Sequence, residues 1–294
     1  MPSPSVSIGE RRIQLWRRAI FLFDKSEKME GPFHEAGYND YWCEGRSQEK
    51  LTPDIFGFSD DFFCVCDISM SPQKGDNMGK YKKCTPSEYT KALFPSEKER
   101  NPTGSPFLIT DEMGIQLTPG YNVVQVFQPG EATIDQINDS ILEEKLTQWQ
   151  GFFFPPPSYS LLAVPESTLD ELKFPLAGIL KWAAVQSEWV SINEVAEKLL
   201  GNLYSSFSKK GIANLRKNIE TTIKDLSKGH LKEYLTYNNE NKTFRLEVDV
   251  SNAQSKKAFS NRINSWLQIT PIEIFDIDNE TEEDEDTDSD INDD

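Results

Sequence analysis

The chain is predicted to be α/β: a mixed sheet flanked by helices, then a smaller domain of helices with a strand hairpin, then a disordered acidic tail. Three observations predict this. Helical spacing at Ile13, Trp16, Ile20 and Phe23 gives way to apolar runs of strand length. Pro155-Pro156-Pro157 then interrupts the chain as a stiff, extended linker, and helical patterns dominate beyond it. From Glu273 to Asp294 there are 13 acids and no bases, and past Asp276 too little apolar content to fold.

Ile8 to about Lys28 reads as an amphipathic helix, with Ser7 as N-cap and Glu10 completing a capping box. Gly31-Pro32 ends it, and His34 falls in a loop. Tyr38–Glu44 is a strand and Arg46–Thr52 a polar connection. Ile55–Phe58 and Phe62–Ser69 pair as strands around Ser59-Asp60-Asp61. The stretch from Ser71 to Lys83 is polar, basic and mildly helical towards its end, and residues 95–106 form a proline-rich surface loop. Phe107–Thr110 and Tyr121–Phe127 are further strands, and Ile134–Gln150 is a helix.

Beyond the linker, Phe174–Gln186 reads as a helix and Trp189-Val190-Ser191 as a short extended piece. Ser191 caps Ile192–Leu200, with Glu194 as its capping-box partner, and Gly201 stops that helix. Ser208 opens a helix over Gly211–Leu226 that Gly229 closes. Tyr234–Tyr237 and Thr243–Val248 alternate as a hairpin, and a last helix covers Ala253–Leu267. The expected boundaries are 1–154 for the sheet domain, 155–172 for the linker, 173–250 for the second domain, 251–275 for the last helix and 276–294 for the tail.

At 294 residues the chain can bury two cores. The net charge of −17 is mostly the tail, whose removal leaves −4. Lys173–Arg245 carries 12 Lys/Arg against 7 Asp/Glu, a contrast that points to nucleic acid with an anionic appendage. No apolar stretch approaches membrane-spanning length and the first residues do not read as an export signal, so a cytoplasmic protein without membrane partners is expected. Cys43, Cys64, Cys66 and Cys84 lack zinc-ligand spacing and read as reduced core residues. With only His34 and His230 and no phosphate-cradling glycine loop, Ser/His hydrolysis and a nucleotide cofactor are set aside.

The residues with chemistry are Pro53-Asp54 and, 13 residues after that aspartate, Asp67-Ile68-Ser69 closing the apolar run Phe62-Phe63-Cys64-Val65-Cys66. Strand alternation puts Asp67 and Ser69 on one face, and a carboxylate ending so apolar a strand is costly unless it pairs or holds a cation. Over about Ile8–Gln150 this order resembles the PD-(D/E)xK nuclease superfamily, with Ser69 where the family has lysine. The resemblance implies a restriction-endonuclease-like sheet, Asp54 and Asp67 as ligands of Mg²⁺, Glu10 as the helix glutamate, and a lysine from Lys74–Lys83, with Lys80 as the candidate, replacing the missing one. The stretch Phe174–Val248 resembles a winged helix-turn-helix. That implies DNA contacts from Lys209, Lys210, Asn214, Arg216, Lys217 and Lys224 on the recognition helix, and from Lys242 and Arg245 at the wing.

Together they imply a metal-dependent DNA endonuclease, of the kind found in mobile elements and phage defence. Ser69 keeps open a catalytically silent scaffold whose winged helix binds DNA or a partner protein subunit. A transcription regulator with an N-terminal sensor domain is a third reading.

Overall fold

The computed structural model describes residues 8–27, 29–70, 75–96, 99–101, 103–112, 122–126, 130–135, 137–151 and 161–268, with the side chains of 75–78 left aside. Ser7, Pro155-Pro156-Pro157 and the acidic tail lie outside them. Among the described residues no helix is long and apolar enough to cross a membrane.

The first half is built on a six-stranded mixed sheet in simple sequence order, β1 (Asp40–Cys43), β2 (Ile55–Phe58), β3 (Phe63–Ser69), β4 (Ser105–Thr110), β5 (Asn122–Gln125) and β6 (Glu131–Thr133). β1, β2 and β3 form an antiparallel meander; β4 and β5 then add in parallel, and β6 closes antiparallel. A parallel β3–β4 pair needs a crossover. The 3₁₀ segment Gly75–Lys83 and the helix α3 (Glu88–Leu93) lie on the connection that supplies it.

The sheet is covered on both faces, and strand alternation sorts the side chains. Cys64, Cys66, Phe107 and Ile109 face the main core; Phe63, Val65 and Leu108 face a smaller one with Tyr81, Cys84 and Phe94. Helix α1 (Ile8–Phe21) packs Leu15, Trp16, Ala19 and Ile20 into the main core, beside α2 (Pro32–Glu35) and α4 (Ser140–Gln148). All four cysteines are buried and free.

The second half runs α5 (Leu169–Gln186), β7 (Val190–Ser191), α6 (Ile192–Leu200), a 3₁₀ turn, α7 (Lys209–Lys228), β8 (Leu235–Asn238), β9 (Thr243–Leu246) and α8 (Ala253–Gln268). Its three strands are antiparallel in the order β7-β9-β8. Ser191 and Ser208 cap α6 and α7, accepting from the amides of Glu194 (3.0 Å) and Gly211 (2.9 Å). The halves share one core: Trp16 of α1 packs on Phe207 at 5.6 Å between ring centroids. The arginines of α1 are used across the same seam. Arg12 pairs with Glu171 at 3.0 Å, and Arg17 donates to the Leu161 carbonyl at 2.5 and 3.1 Å.

Several boundaries differ from expectation for local reasons. The first helix stops at Phe21, not Lys28, because Phe21, Leu22 and Phe23 are all buried and the chain turns there to enclose them. α4 begins at Ser140, not Ile134, because Asp139 accepts from the amides of Ile141 and Leu142 at 2.9 and 3.3 Å and fixes the cap. α5 begins at Leu169, inside the stretch expected as linker, because Thr168 and Glu171 form a complete capping box. Leu161, Ala163 and Val164, just before it, are core residues. His34 sits in α2 and meets Glu30 at 2.5 Å, not in a loop. α3 and β6 have too few residues to show a period.

Gly31 is required by close approach, since a Cβ there would lie 2.3 Å from the carbonyl oxygens of both Phe21 and Leu22. Backbone cannot yield as a side chain can. Gly31→Ala is expected to cost about 1–3 kcal/mol, read as a lowered midpoint in a denaturant melt.

Candidate functional site

Strand register assembles the site. Ile55 pairs with Cys43 on one side and Cys66 on the other. One step further come Glu44, just past the end of β1, Asp54, just before β2, and Asp67 on β3. The Glu44 amide donates to the Asp54 carbonyl at 2.8 Å, which extends the β1–β2 ladder by that step. Asp54 in turn accepts from the Ile68 amide at 2.5 Å. Neighbouring strands lie about 4.8 Å apart, so the backbone positions of the three span about 10 Å, with Glu44 turned out of the pleat at φ 55°.

A fourth carboxyl, Glu166, reaches the row from the segment joining the two halves and hydrogen-bonds Glu44. Asp54, Asp67, Ser69 and Glu166, with Arg12, Leu15 and Trp16 of α1, line an open cleft of about 680 Å³.

Four carboxyls this close cannot all be charged. Burial raises the Asp54 carboxyl well above the usual range, with Asp67 and Glu166 adding to it. Asp67 is also raised by burial, but the Lys80 ammonium and the Tyr81 hydroxyl hold it back. Asp54 and Asp67 therefore titrate as one coupled pair, both raised by burial. Glu44 is pushed up to about 8 by burial and by Glu166. Arg12 opposes the rise at Glu166.

Among the described residues no three His, Cys, Asp or Glu side chains converge as a metal-binding group. Asp54 and Asp67 both line the cleft and are the carboxyls a cation could use there. Two carboxylate donors in an open cleft suit a hard ion such as Mg²⁺, which keeps several waters and takes one or two protein carboxylates.

Of the residues expected here, Asp54 and Asp67 meet, and Lys80 is close enough for its charge to act on Asp67. Glu10 is elsewhere: it lines a separate groove with Ile8, Ile13 and Phe174, while α1 turns Arg12 toward the cleft. Glu44 and Glu166 were not expected. Glu44 becomes visible only when the β1–β2 register is known. Glu166 has no local signal, because its place depends on the fold of the connecting segment.

The eight residues expected to meet DNA divide. Lys209, Lys210, Asn214 and Lys217 are exposed on α7. Arg216 is held by the Tyr204 hydroxyl, over whose ring it lies at 5.9 Å. Lys224 and Lys242 both pair with Glu220, at 2.8 and 3.2 Å, which lowers that carboxyl to about 2. Arg245 is partly buried, its Nε enclosed. The first turn of α7 is docked on the sheet half: Ser208 donates to Glu44 at 2.9 Å, and a Cβ at Gly211 would meet Glu44 and Pro165.

Comparisons with protein-family models, with curated proteins and with solved structures find no match to this chain.

Proposed function

We propose that this protein is a nucleic-acid-binding phosphodiesterase of PD-(D/E)xK type, its second half a winged helix fused to the nuclease-like sheet. The observation that carries this is the Asp54–Asp67 pair, cross-strand neighbours in hydrogen-bond contact at the floor of an open cleft. The antiparallel β1-β2-β3 meander followed by parallel β4 agrees with what the nuclease resemblance implies. The order α5, β7, α6, α7 and the β8–β9 hairpin supports the winged-helix reading in the same way.

In this reading Asp54 and Asp67 hold Mg²⁺, which supplies Lewis-acid polarisation of a phosphodiester oxygen and a water made nucleophilic near neutral pH. Both carboxyls of the pair would have to be ionised for this, so loading at the pair releases protons held there. Lys80, which acts on Asp67, takes the place of the lysine that Ser69 does not provide, while Arg12 lines the cleft already paired with Glu171. Nicking of supercoiled plasmid in Mg²⁺ or Mn²⁺, against EDTA, tests the reading.

Ser69 in the cleft favours a second reading, a catalytically silent scaffold that binds DNA or a partner subunit. The same assay separates the two.

Glu220 offers a test of the wing. Glu220→Gln removes the counter-charge of Lys224 and Lys242. Duplex affinity is expected to rise about threefold at low salt and the gain to fade as salt is added. Anisotropy titrations with a labelled duplex check this, and equal affinities at low salt would place the wing away from DNA.

A further inference from the structure

Beside the carboxyl row, and sharing Glu44 as a wall with it, lies a second cleft of about 340 Å³. Its lining is of opposite character. Arg46 and Lys50 come from the β1–β2 connection, Lys209 and Lys210 from the start of α7, and two aromatic residues, Trp42 and Tyr89, complete it. Tyr89 is 58% exposed on the short helix α3. All four cations are exposed, and among the described residues none has an ion-pair partner.

Cations without ion-pair partners around one exposed ring, Tyr89, and one half-buried ring, Trp42, suit a phosphate joined to a planar base. Size decides its form. A cleft this small admits a nucleotide and excludes a duplex, and a base can stack on a side chain only after leaving its neighbours. Glu44 meets the cleft with its carboxyl already accepting from the Ser208 hydroxyl at 2.9 Å. The other charged groups facing it are Lys210 and, across the row, Asp54. The cleft also spans the seam: two of its cations belong to the sheet half and two to α7.

We propose that this cleft binds one unpaired nucleotide of a nucleic acid strand, with phosphate on Arg46, Lys50, Lys209 and Lys210 and base on Tyr89 and Trp42. Its position near the scissile phosphate rests on the proposed function, since the row from Glu44 to Asp67 is about 10 Å long, a distance of a few nucleotides at most. The protein is then selective for ends, flaps or frayed strands over continuous duplex.

The test uses the full chain in EDTA, so that no hydrolysis is needed. Anisotropy is measured with a labelled blunt duplex, the same duplex carrying a three-nucleotide overhang, and the single strand alone. The wild type should prefer the overhang and the single strand over the blunt duplex. Tyr89→Ala should weaken those two by about 5- to 100-fold, the range for one lost base stack, with blunt duplex unchanged. Tyr89→Phe should restore binding, and Lys50→Glu should weaken the overhang complex while flattening its salt dependence.

Equal overhang affinity in wild type and Tyr89→Ala overturns the proposal. So does an equal loss on all three ligands, or an overhang preference that appears only once residues 276–294 are deleted, which would make the acidic tail the occupant in the full chain. Overhang preference without metal-dependent nicking leaves the cleft standing and removes the hydrolytic reading. Nicking without that preference does the reverse.

Discussion

Asp67→Asn should remove Mg²⁺-dependent nicking by about three orders of magnitude or more, equivalent to about 4 kcal/mol of transition-state stabilisation. Asparagine keeps the size of the side chain and its contact with Asp54, so the fold should survive, as an unchanged circular dichroism spectrum would confirm. What disappears is one of the two carboxyls that meet where β2 begins and β3 ends. Asp54→Asn should have the same effect on rate with a larger cost to stability, because its carboxyl also accepts the Ile68 amide at 2.5 Å. Nicking that persists at the wild-type rate in Asp67→Asn would move the hydrolytic centre elsewhere. Its absence in the wild type would leave the scaffold reading that Ser69 favours.

A large dependence of metal-free stability on pH is the second expected result. Glu44, Asp54, Asp67 and Glu166 all have folded-state carboxyls raised above their ordinary values, chiefly by burial. The folded chain therefore holds protons that the unfolded chain has released, and stability falls as pH rises. The contribution of Glu44 is fully present below its unfolded value, near 4.3, and is lost as pH passes its folded value of about 8. In EDTA the melting temperature should drop by several degrees between pH 5 and pH 9. Glu44→Gln should flatten that slope while keeping the bond from Ser208. Mg²⁺ should recover stability at the high-pH end, where it replaces protons as the counter-charge. A melt that is flat with pH in the wild type would mean that the four carboxyls do not interact.

Much of the fold is legible in the sequence because its signals are local. Ser191 before Ile192 and Ser208 before Lys209 satisfy the orphan amides of their helices, and the structure has both caps. The alternation of Phe63-Cys64-Val65-Cys66 divides two cores as strand geometry requires. The pair Asp54 and Asp67 is readable for the same reason: a turn before one strand and the end of the next bring them together.

What could not be read is set by distant packing. Glu166 lies 99 positions after Asp67 in the chain and reaches the site only because Leu161, Ala163 and Val164 anchor the connecting segment in the core. Glu10 is the helix glutamate that the nuclease resemblance implies, yet helix rotation is fixed by Leu15, Trp16 and Ile20, and that rotation turns Arg12 to the cleft. Lys224 and Lys242 look like nucleic-acid ligands until the hairpin folds back and Glu220 takes both. An acidic residue inside a basic helix is a cue for such internal pairing.

Isothermal titration of Mn²⁺ into the protein at pH 7, in two buffers of different ionisation enthalpy, is the most direct measurement. One ion per chain with net proton release, lost in the Asp54→Asn/Asp67→Asn double variant, is the result this account predicts. No binding, or binding that the double variant retains, would contradict it.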